Sequence, residues 1–430
     1  MPLPEAELER CVRALQAERR LPSVSAAVYV DGDVVWELAV GLADVASGRQ
    51  ATPDTQYRIG SITKTFTAAA VLRLGDEGAI DLLAPLRDYV PELSDDRVRV
   101  KDVLSHASGL QREEPGSSWD EVAFLTRDQL LARLDEVGRV LEPRDEWHYS
   151  NIGYTLLGDV VGRLTGDYQR TIEEWFFGPA GLRRTTWEPD ATAAVGYHVD
   201  PWSDAVQVER NIELNAGRAA GQLWSTTGDL ARWAGFLRDD EGLRPMQRLQ
   251  TIADHAAWAY GSGLGLLLWR SGDRIFAGHS GGMNGFLANL AWDTRGRTGA
   301  VMFTNASPGL SIDNEGVALA VRAAEQMAPM PEPWRPADAP PPELAGVLGN
   351  WWTEGWEFVL TYRGGRLRAA AVGSVRPPAV FEPEGPDRYR TVSGRERGEL
   401  LEIHRDADGR PVRLSWATYA MTRTSLPMAP

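Results

Sequence analysis

Lysine is almost missing from this chain. Of its 45 basic residues only Lys64 and Lys101 are lysine, and the other 43 are arginine. Arginine does not release its proton inside a protein, so a position that needs a neutral amine has to stay lysine. Cysteine is scarcer still: Cys11 alone excludes an internal disulfide and says nothing about compartment. The histidines His148, His198, His255 and His404 show no ligand spacing, and there is neither His-Glu-x-x-His nor a Cys/His cluster. No metal and no cofactor are therefore expected. The glycine-rich segments lack a strand–glycine–helix context, which argues against a nucleotide site. A net charge of −15, with no basic cluster among aromatics, argues against nucleic acid as a partner. No apolar run has the length of a membrane span, and the start of the chain has no secretory or lipidation pattern. That reads as a cytoplasmic protein with no membrane partner.

What is present begins with size. At 430 residues, 43% apolar and 24% charged, the chain has room for two globular domains, each with its own core. The organising stretch runs from Tyr57 to Leu74. A polar entry with Gly60 and Ser61 leads into Phe66, Ala69, Ala70, Leu72 and Leu74, spaced as in a mostly buried helix that begins near Ser61. Residues three apart share a helix face, so the Ser61 hydroxyl and the Lys64 amine can meet. A serine is inert until a base takes its proton, and a desolvated lysine is able to do so. The competing reading makes Ser61 a helix N-cap and Lys64 a solvated surface charge. The near-absence of lysine elsewhere favours the chemical reading.

Around that stretch the pattern is mixed. Residues 4–20 read as an amphipathic helix, and 24–30 with 34–40 as a hairpin across Asp31-Gly32-Asp33. Residues 101–109 read as a short helix stopped by Gly109, with His106 structural in its last turn and Lys101 at the surface. Residues 119–141 read as helix. The loop His148-Tyr149-Ser150-Asn151 then delivers polar side chains to the start of another helix, where Asn151 could serve as the cap. Residues 185–218 are irregular, and a helix follows Ser225. Segments 263–269, 274–279, 286–293 and 299–305 read as antiparallel strands of one sheet, with His279-Ser280-Gly281-Gly282 closing one of them. A last helix covers 315–327. A proline-rich linker over 328–342 leads to strands and turns over 343–430, a small antiparallel β-barrel or sandwich. Trp351, Trp352 and Trp356 read as exposed aromatics there. The fold class is α+β: an antiparallel sheet flanked by helices over 1–327, with a helical subdomain, and the β domain after the linker.

Taken together, Ser61-x-x-Lys64, Tyr149-Ser150-Asn151 and His279-Ser280-Gly281 resemble the serine β-lactamase and penicillin-binding-protein superfamily, on its class C-like esterase and D-peptidase side. Leu104-Ser-His-Ala-Ser-Gly-Leu110 resembles the same branch, and the piece from Leu344 is similar to the lipocalin-like barrels appended to some members. The resemblance implies that Ser61 is a nucleophile and that Lys64 and Tyr149 share its proton. It implies that Asn151 orients Lys64 or holds a substrate amide. The N–H groups of Ser61 and Gly282 would form an oxyanion hole, a feature worth about 10²–10³ in rate. One departure stands out. Many members carry Lys-Thr-Gly where this chain has His279-Ser280-Gly281, and a histidine is charged only part of the time near neutrality. Weak recognition of acidic β-lactams follows, with better turnover of neutral esters or amides. The reading is a serine hydrolase cleaving a small ester or amide, or a short peptide, through an acyl-enzyme. The same motifs are compatible with an acyltransferase or peptide-offloading cyclase, and with a penicillin-binding sensor of little turnover.

Overall fold

The structure, a computed structural model, describes residues 5–116, 119, 123–307, 310–326 and 340–425. The chain divides into two compact units, residues 1–329 and 330–430. The linker expected over 328–342 lies outside the described residues except for its last three.

The larger unit is built on a nine-stranded antiparallel sheet. Its strands are β1 (Ser23–Val30), β2 (Asp33–Asp44), β3 (Arg49–Gln50), β4 (Thr251–Ile252), β5 (Tyr260–Ser262), β6 (Leu267–Ser271), β7 (Arg274–Met283), β8 (Phe286–Asp293) and β9 (Thr298–Thr304). Their spatial order is β3-β2-β1-β9-β8-β7-β6-β5-β4, so the first hairpin docks onto β9 from the far end of the chain. The central strands are covered on both faces and read as nearly continuous apolar runs: β1 and β9 are buried almost throughout. One face carries α1 (Glu5–Glu18) and the C-terminal helix of this unit, Ile312–Gln326. The other packs on a larger cluster that includes α2 (Thr63–Asp76).

α2 is buried all round, from Thr63 to Leu72 without a break, which is why its sequence shows little amphipathic contrast. Phe66 stacks on Trp233 with ring centroids 4.0 Å apart, and the Trp233 indole N–H donates to Thr65 Oγ1 at 2.8 Å. The α-helix begins at Thr63. Ser61 sits before it in a 3₁₀ turn, Gly60–Ile62, and no side chain caps the helix. The N-cap reading of Ser61 is thereby excluded.

Several local expectations change. α3 covers only Val100–Leu104, and His106 lies beyond it at φ +55°. The helix stops early because the Leu104 carbonyl is engaged by the Gly265 N–H and the Tyr154 hydroxyl. Of the helix expected over 119–141, the described residues form only α4 (Arg127–Leu131) and a 3₁₀ turn, Leu134–Glu136. Beyond them the backbone bonds across to Gly109 and Gln111, a tertiary pairing that overrides local propensity. α5 spans Asn151–Thr165, but its cap is Ser150, whose hydroxyl accepts from the Gly153 N–H. Asn151 is not the cap, since its backbone is already helical. The irregular 185–218 segment holds a short hairpin, Tyr197–Val199 with Val206–Val208. α6 (Thr227–Asp239) and α7 (Ile312–Gln326) complete the unit's long helices.

The smaller unit is a meander of eight strands: β10 (Gly349–Thr353), β11 (Trp356–Arg363), β12 (Arg366–Ala371), β13 (Ala379–Gly385), β14 (Arg388–Thr391), β15 (Leu400–Arg405), β16 (Pro411–Trp416) and β17 (Tyr419–Met421). Each pairs with the next, and reciprocal bonds between Trp352 and Thr422 at 2.8 and 2.9 Å join the first strand to the last. This is the antiparallel barrel that the strand pattern predicts, nearly closed, so that few edge groups stay open. Trp351 is in its core, not exposed: the indole N–H donates to the Val347 carbonyl and Arg423 covers the ring at 3.9 Å.

The Phe66–Trp233 stack sits where α2 and α6 meet, with no solvent to fill a gap. Trp233→Ala should lower stability by about 3–5 kcal/mol, read from denaturant unfolding of the full chain. A loss below about 1 kcal/mol would mean that this contact does not anchor the reactive helix.

Candidate active site

The site forms where β7 outruns its neighbour. β6 pairs with β7 only as far as Leu267 opposite Gly278, whereas β8 pairs with it to Met283 opposite Phe286. The strand therefore runs on through His279–Met283, its last five residues, with one edge unpaired by a strand. The Gly60–Ile62 turn is pressed against that edge. A Cβ on Gly281 would lie 1.9 Å from the Ile59 carbonyl oxygen and 3.0 Å from the Ser61 nitrogen, and one on Gly60 would lie 2.9 Å from the Gly282 nitrogen. Only glycine permits so close an approach of two backbones.

Lys64 Nζ lies 3.0 Å from Ser61 Oγ and donates to the Ala220 carbonyl at 2.7 Å. Its side chain is fully buried, among the largest in the core to be so. Burial pushes the amine well below the usual lysine range; Glu113 raises it and Arg112 lowers it by smaller amounts. An uncharged amine at this distance can take the proton of Ser61. Tyr149 completes the group. Burial raises its phenol far above the ordinary value, opposed by a hydrogen bond with Ser61. Its ring is held between three groups: it stacks on His106 at 4.3 Å, Arg112 lies 5.0 Å from its centroid, and so does Lys64 Nζ. Ser61 and Lys64, paired by sequence spacing, and Tyr149, implied by the family resemblance, thus converge.

The others fall around them. Ser61, Tyr149, Asn151, Ser280 and Gly282 line one cavity of about 780 Å³. The Asn151 amide donates to Glu113 Oε1 at 2.7 Å. Gly281 is buried behind Ser61, and the Ser61 and Gly282 nitrogens both lie along the seam between the turn and the strand. His279 is buried behind the cavity, with its ring 6.3 Å from that of Tyr149. Its Nδ1 bonds the Ser280 carbonyl at 2.6 Å. Burial, reinforced by Lys64, brings its pKa down to about 3, so the partial charge expected of it is absent. Solvent cannot reach the ring, and among the described residues no carboxylate faces it to hold the proton.

Residues 8–325 match the family described as Beta-lactamase. The chain belongs to the β-lactamase family. It is a serine hydrolase of that family. Residues 340–423 match a Domain of unknown function (DUF7586). The β-lactamase-family chain is 28% identical to a D-aminopeptidase of Brucella anthropi, over 93% of this chain and 75% of that protein. It is 28% identical to Penicillin-binding protein 4 of Amycolatopsis lactamdurans, over 81% of this chain and 98% of that one. Among solved structures it resembles the D-amino acid amidase from Ochrobactrum anthropi SV3 with TM-score 0.66 and 25% identity, covering 74% of this chain and 99% of that one.

Sequence reading missed the residues that shape this hydrolase's pocket electrostatically. Arg112, Glu113, Glu114 and Glu209 all line it, giving three carboxylates against one guanidinium among the described residues. They lie in loops with no periodicity to mark them. His106 buttresses the site from outside α3, where its Nδ1 accepts from the Ser150 N–H at 3.2 Å while its ring stacks on Tyr149. His148 donates its backbone N–H to the His106 carbonyl, and its ring Nε2 is buried without a partner. No helix among the described residues is long and apolar enough to cross a membrane.

His279 also carries a stability signature. An unfolded histidine binds a proton near pH 6.5, whereas the folded one refuses it until about pH 3. As pH falls from about 6.5 toward about 3 the unfolded chain gains protons that the folded chain does not, so stability drops. His279→Gln should remove this contribution, making the loss between pH 7 and pH 5 smaller by about 2 kcal/mol. Denaturant midpoints at the two pH values measure it, and parallel slopes for wild type and variant would contradict it.

Proposed function

We propose that this protein hydrolyses small amides, and the corresponding esters, of amino acids or short peptides that carry a free, protonated amino group. The D configuration is the proposed preference. The observation that carries the chemical part is the buried Lys64 amine, 3.0 Å from the Ser61 hydroxyl at the wall of an open cavity. Ser61 is the proposed nucleophile. Lys64, neutral at working pH, takes its proton, and Tyr149 passes a proton to the leaving amine. The Ser61 and Gly282 N–H groups receive the developing oxyanion, and Asn151, anchored by Glu113, lines the cavity that takes the substrate. Water then releases the acyl group and regenerates Ser61.

Two observations support the substrate class. Among the charged side chains that line the cavity, the carboxylates Glu113, Glu114 and Glu209 outnumber the Arg112 guanidinium, and neutral His279 offers no positive charge where a substrate carboxylate would sit. Relatives named D-aminopeptidase and D-amino acid amidase supply the configuration. The same features disfavour acidic β-lactams.

The test is a panel of D- and L-alanine p-nitroanilides, p-nitrophenyl acetate and nitrocefin, with intact-protein mass spectrometry for the acyl-enzyme. D-alanine p-nitroanilide should exceed both its L counterpart and nitrocefin by at least tenfold in kcat/KM, with no adduct on Ser61→Ala. Nitrocefin as the best substrate would overturn the reading.

A sharper test addresses the base. Lys64→Arg keeps the positive charge and loses the neutral form, so acylation should slow by about 10²–10⁴, as single-turnover kinetics would show. Near-wild-type rates in this variant would remove Lys64 from the mechanism.

A further inference from the structure

Between Tyr149 and β5 the cavity has a wall of aromatic rings that the acyl-transfer chemistry does not use. Trp147 and Tyr260 both line it. The Trp147 ring lies 6.1 Å from that of Tyr149 and 5.5 Å, edge to face, from that of Tyr260 at the start of β5. Two ring contacts therefore lead from the phenol beside Ser61 to Tyr260. The wall is firmly held. The Trp147 indole N–H donates to Ser262 Oγ at 2.7 Å, His106 meets its ring at 5.9 Å, and Trp269 backs Tyr260 at 6.3 Å. Both side chains are half-buried. They pack against the apolar cluster that α1 and α7 cover, and they also face the cavity.

The hydroxyl of Tyr260 sets it apart. The buried tyrosines Tyr57, Tyr154, Tyr168 and Tyr197 bond theirs to Ser23, the Leu104 carbonyl, Thr67 and Asp44. Tyr260 makes no hydrogen bond among the described residues, and its oxygen is not sealed in the interior. Burial raises its phenol, with Asp313 and Tyr149 acting in the same direction, so the group keeps a hydrogen to donate. Position then assigns the wall to one half of the substrate. A proton passed from Tyr149 goes to the leaving nitrogen, so the substituent on that nitrogen extends from Tyr149. The carboxylates lie elsewhere: Glu113 is held by Asn151 and Glu114 by Thr155, both on α5. Ammonia as a leaving group is too small to reach either ring, whereas an amino-acid residue with a large side chain spans the distance to both.

We propose that Trp147 and Tyr260 form the subsite for the leaving half of the substrate, so that the preferred bond is a peptide bond before an aromatic residue, whose carbonyl accepts from the Tyr260 hydroxyl. Ser61 keeps the acyl half, and the aromatic residue departs as an amine carrying the proton from Tyr149. The subsite deepens the amidase reading and rests on it for that proton transfer. Its preference can be read in binding and on esters, independently of whether amides are cleaved.

The experiment uses two matched pairs on the full chain: D-alanyl-L-phenylalanine amide with D-alanylglycine amide, and D-alanine benzyl ester with D-alanine methyl ester. Chromatography follows the released amine or alcohol. Wild type should favour the aromatic member of each pair by tenfold or more in kcat/KM. Ser61→Ala, which binds without turnover, should hold the aromatic dipeptide amide at least fivefold more tightly than the glycine one by calorimetry. Trp147→Ala and Tyr260→Ala should each cut the preference at least fivefold, mainly through KM. Tyr260→Phe retains the ring, so it should retain the preference and slow both dipeptide amides threefold or more relative to the esters. Should Trp147→Ala not fold, as thermal unfolding would show, Tyr260→Ala carries the test. Indifference of wild type within the ester pair, together with equal binding of the two dipeptide amides, would overturn the subsite. So would alanine variants that slow both members of a pair equally, which marks a purely structural role. An unchanged amide-to-ester ratio in Tyr260→Phe would strike out the hydroxyl. Aromatic preference in binding and in the esters, with dipeptide amides left intact, would remove the amidase reading and leave the subsite standing.

Discussion

Taking the Lys64 amine out of water is the constraint from which the rest of the site follows. A charged ammonium in an apolar interior costs several kcal/mol unless a carboxylate answers it, and here the two hydrogen-bond partners are a neutral carbonyl and a neutral hydroxyl. The lower-energy state gives up the proton, and giving it up is what makes the amine a base. Burial at this position is obtained by wrapping α2 on every side, so a helix that could have been a surface element is the centre of the larger unit. Reactivity and core packing are the same fact seen from two ends.

Backbone proximity is the second element. The turn carrying Ser61 and the free edge of β7 approach so closely that a methyl group on Gly281 would overlap the Ile59 carbonyl. That contact sets the position of the serine nitrogen relative to the strand. Rigid walls complete the arrangement: His106 at a left-handed φ, its ring against Tyr149, and Trp233 against Phe66 on the far side of α2. A site held by strands, a buried helix and stacked rings has little freedom to misplace its reacting groups, and small misplacements are costly in rate.

Electrostatics then sets the character of the pocket. The superfamily resemblance implies a lysine at 279, and the chain has a histidine kept neutral by burial. Among the described residues the pocket is lined by three carboxylates, Glu113, Glu114 and Glu209, and by Arg112. The barrel of the smaller unit owes its order to different physics, a sequential meander whose ends join at Trp352 and Thr422.

Local pattern was enough for the strands around 274–304, the buried helix after Ser61, and the pairing of Ser61 with Lys64, because period and i,i+3 spacing are properties of the chain alone. The rarity of lysine made Lys64 conspicuous, and Tyr149 was legible through its motif. What the sequence could not decide was set by partners distant along the chain. The helix before His106 ends where Gly265 and Tyr154 claim the Leu104 carbonyl, and the segment after Leu134 bonds to Gly109 and Gln111 instead of to itself. Glu113 beside Asn151 carries no local mark, since a carboxylate's role depends on what the fold brings within 3 Å of it. Even the histidine at 279 reads as half-charged until the sheet closes over it, because protonation is decided by solvent access, which only tertiary structure creates.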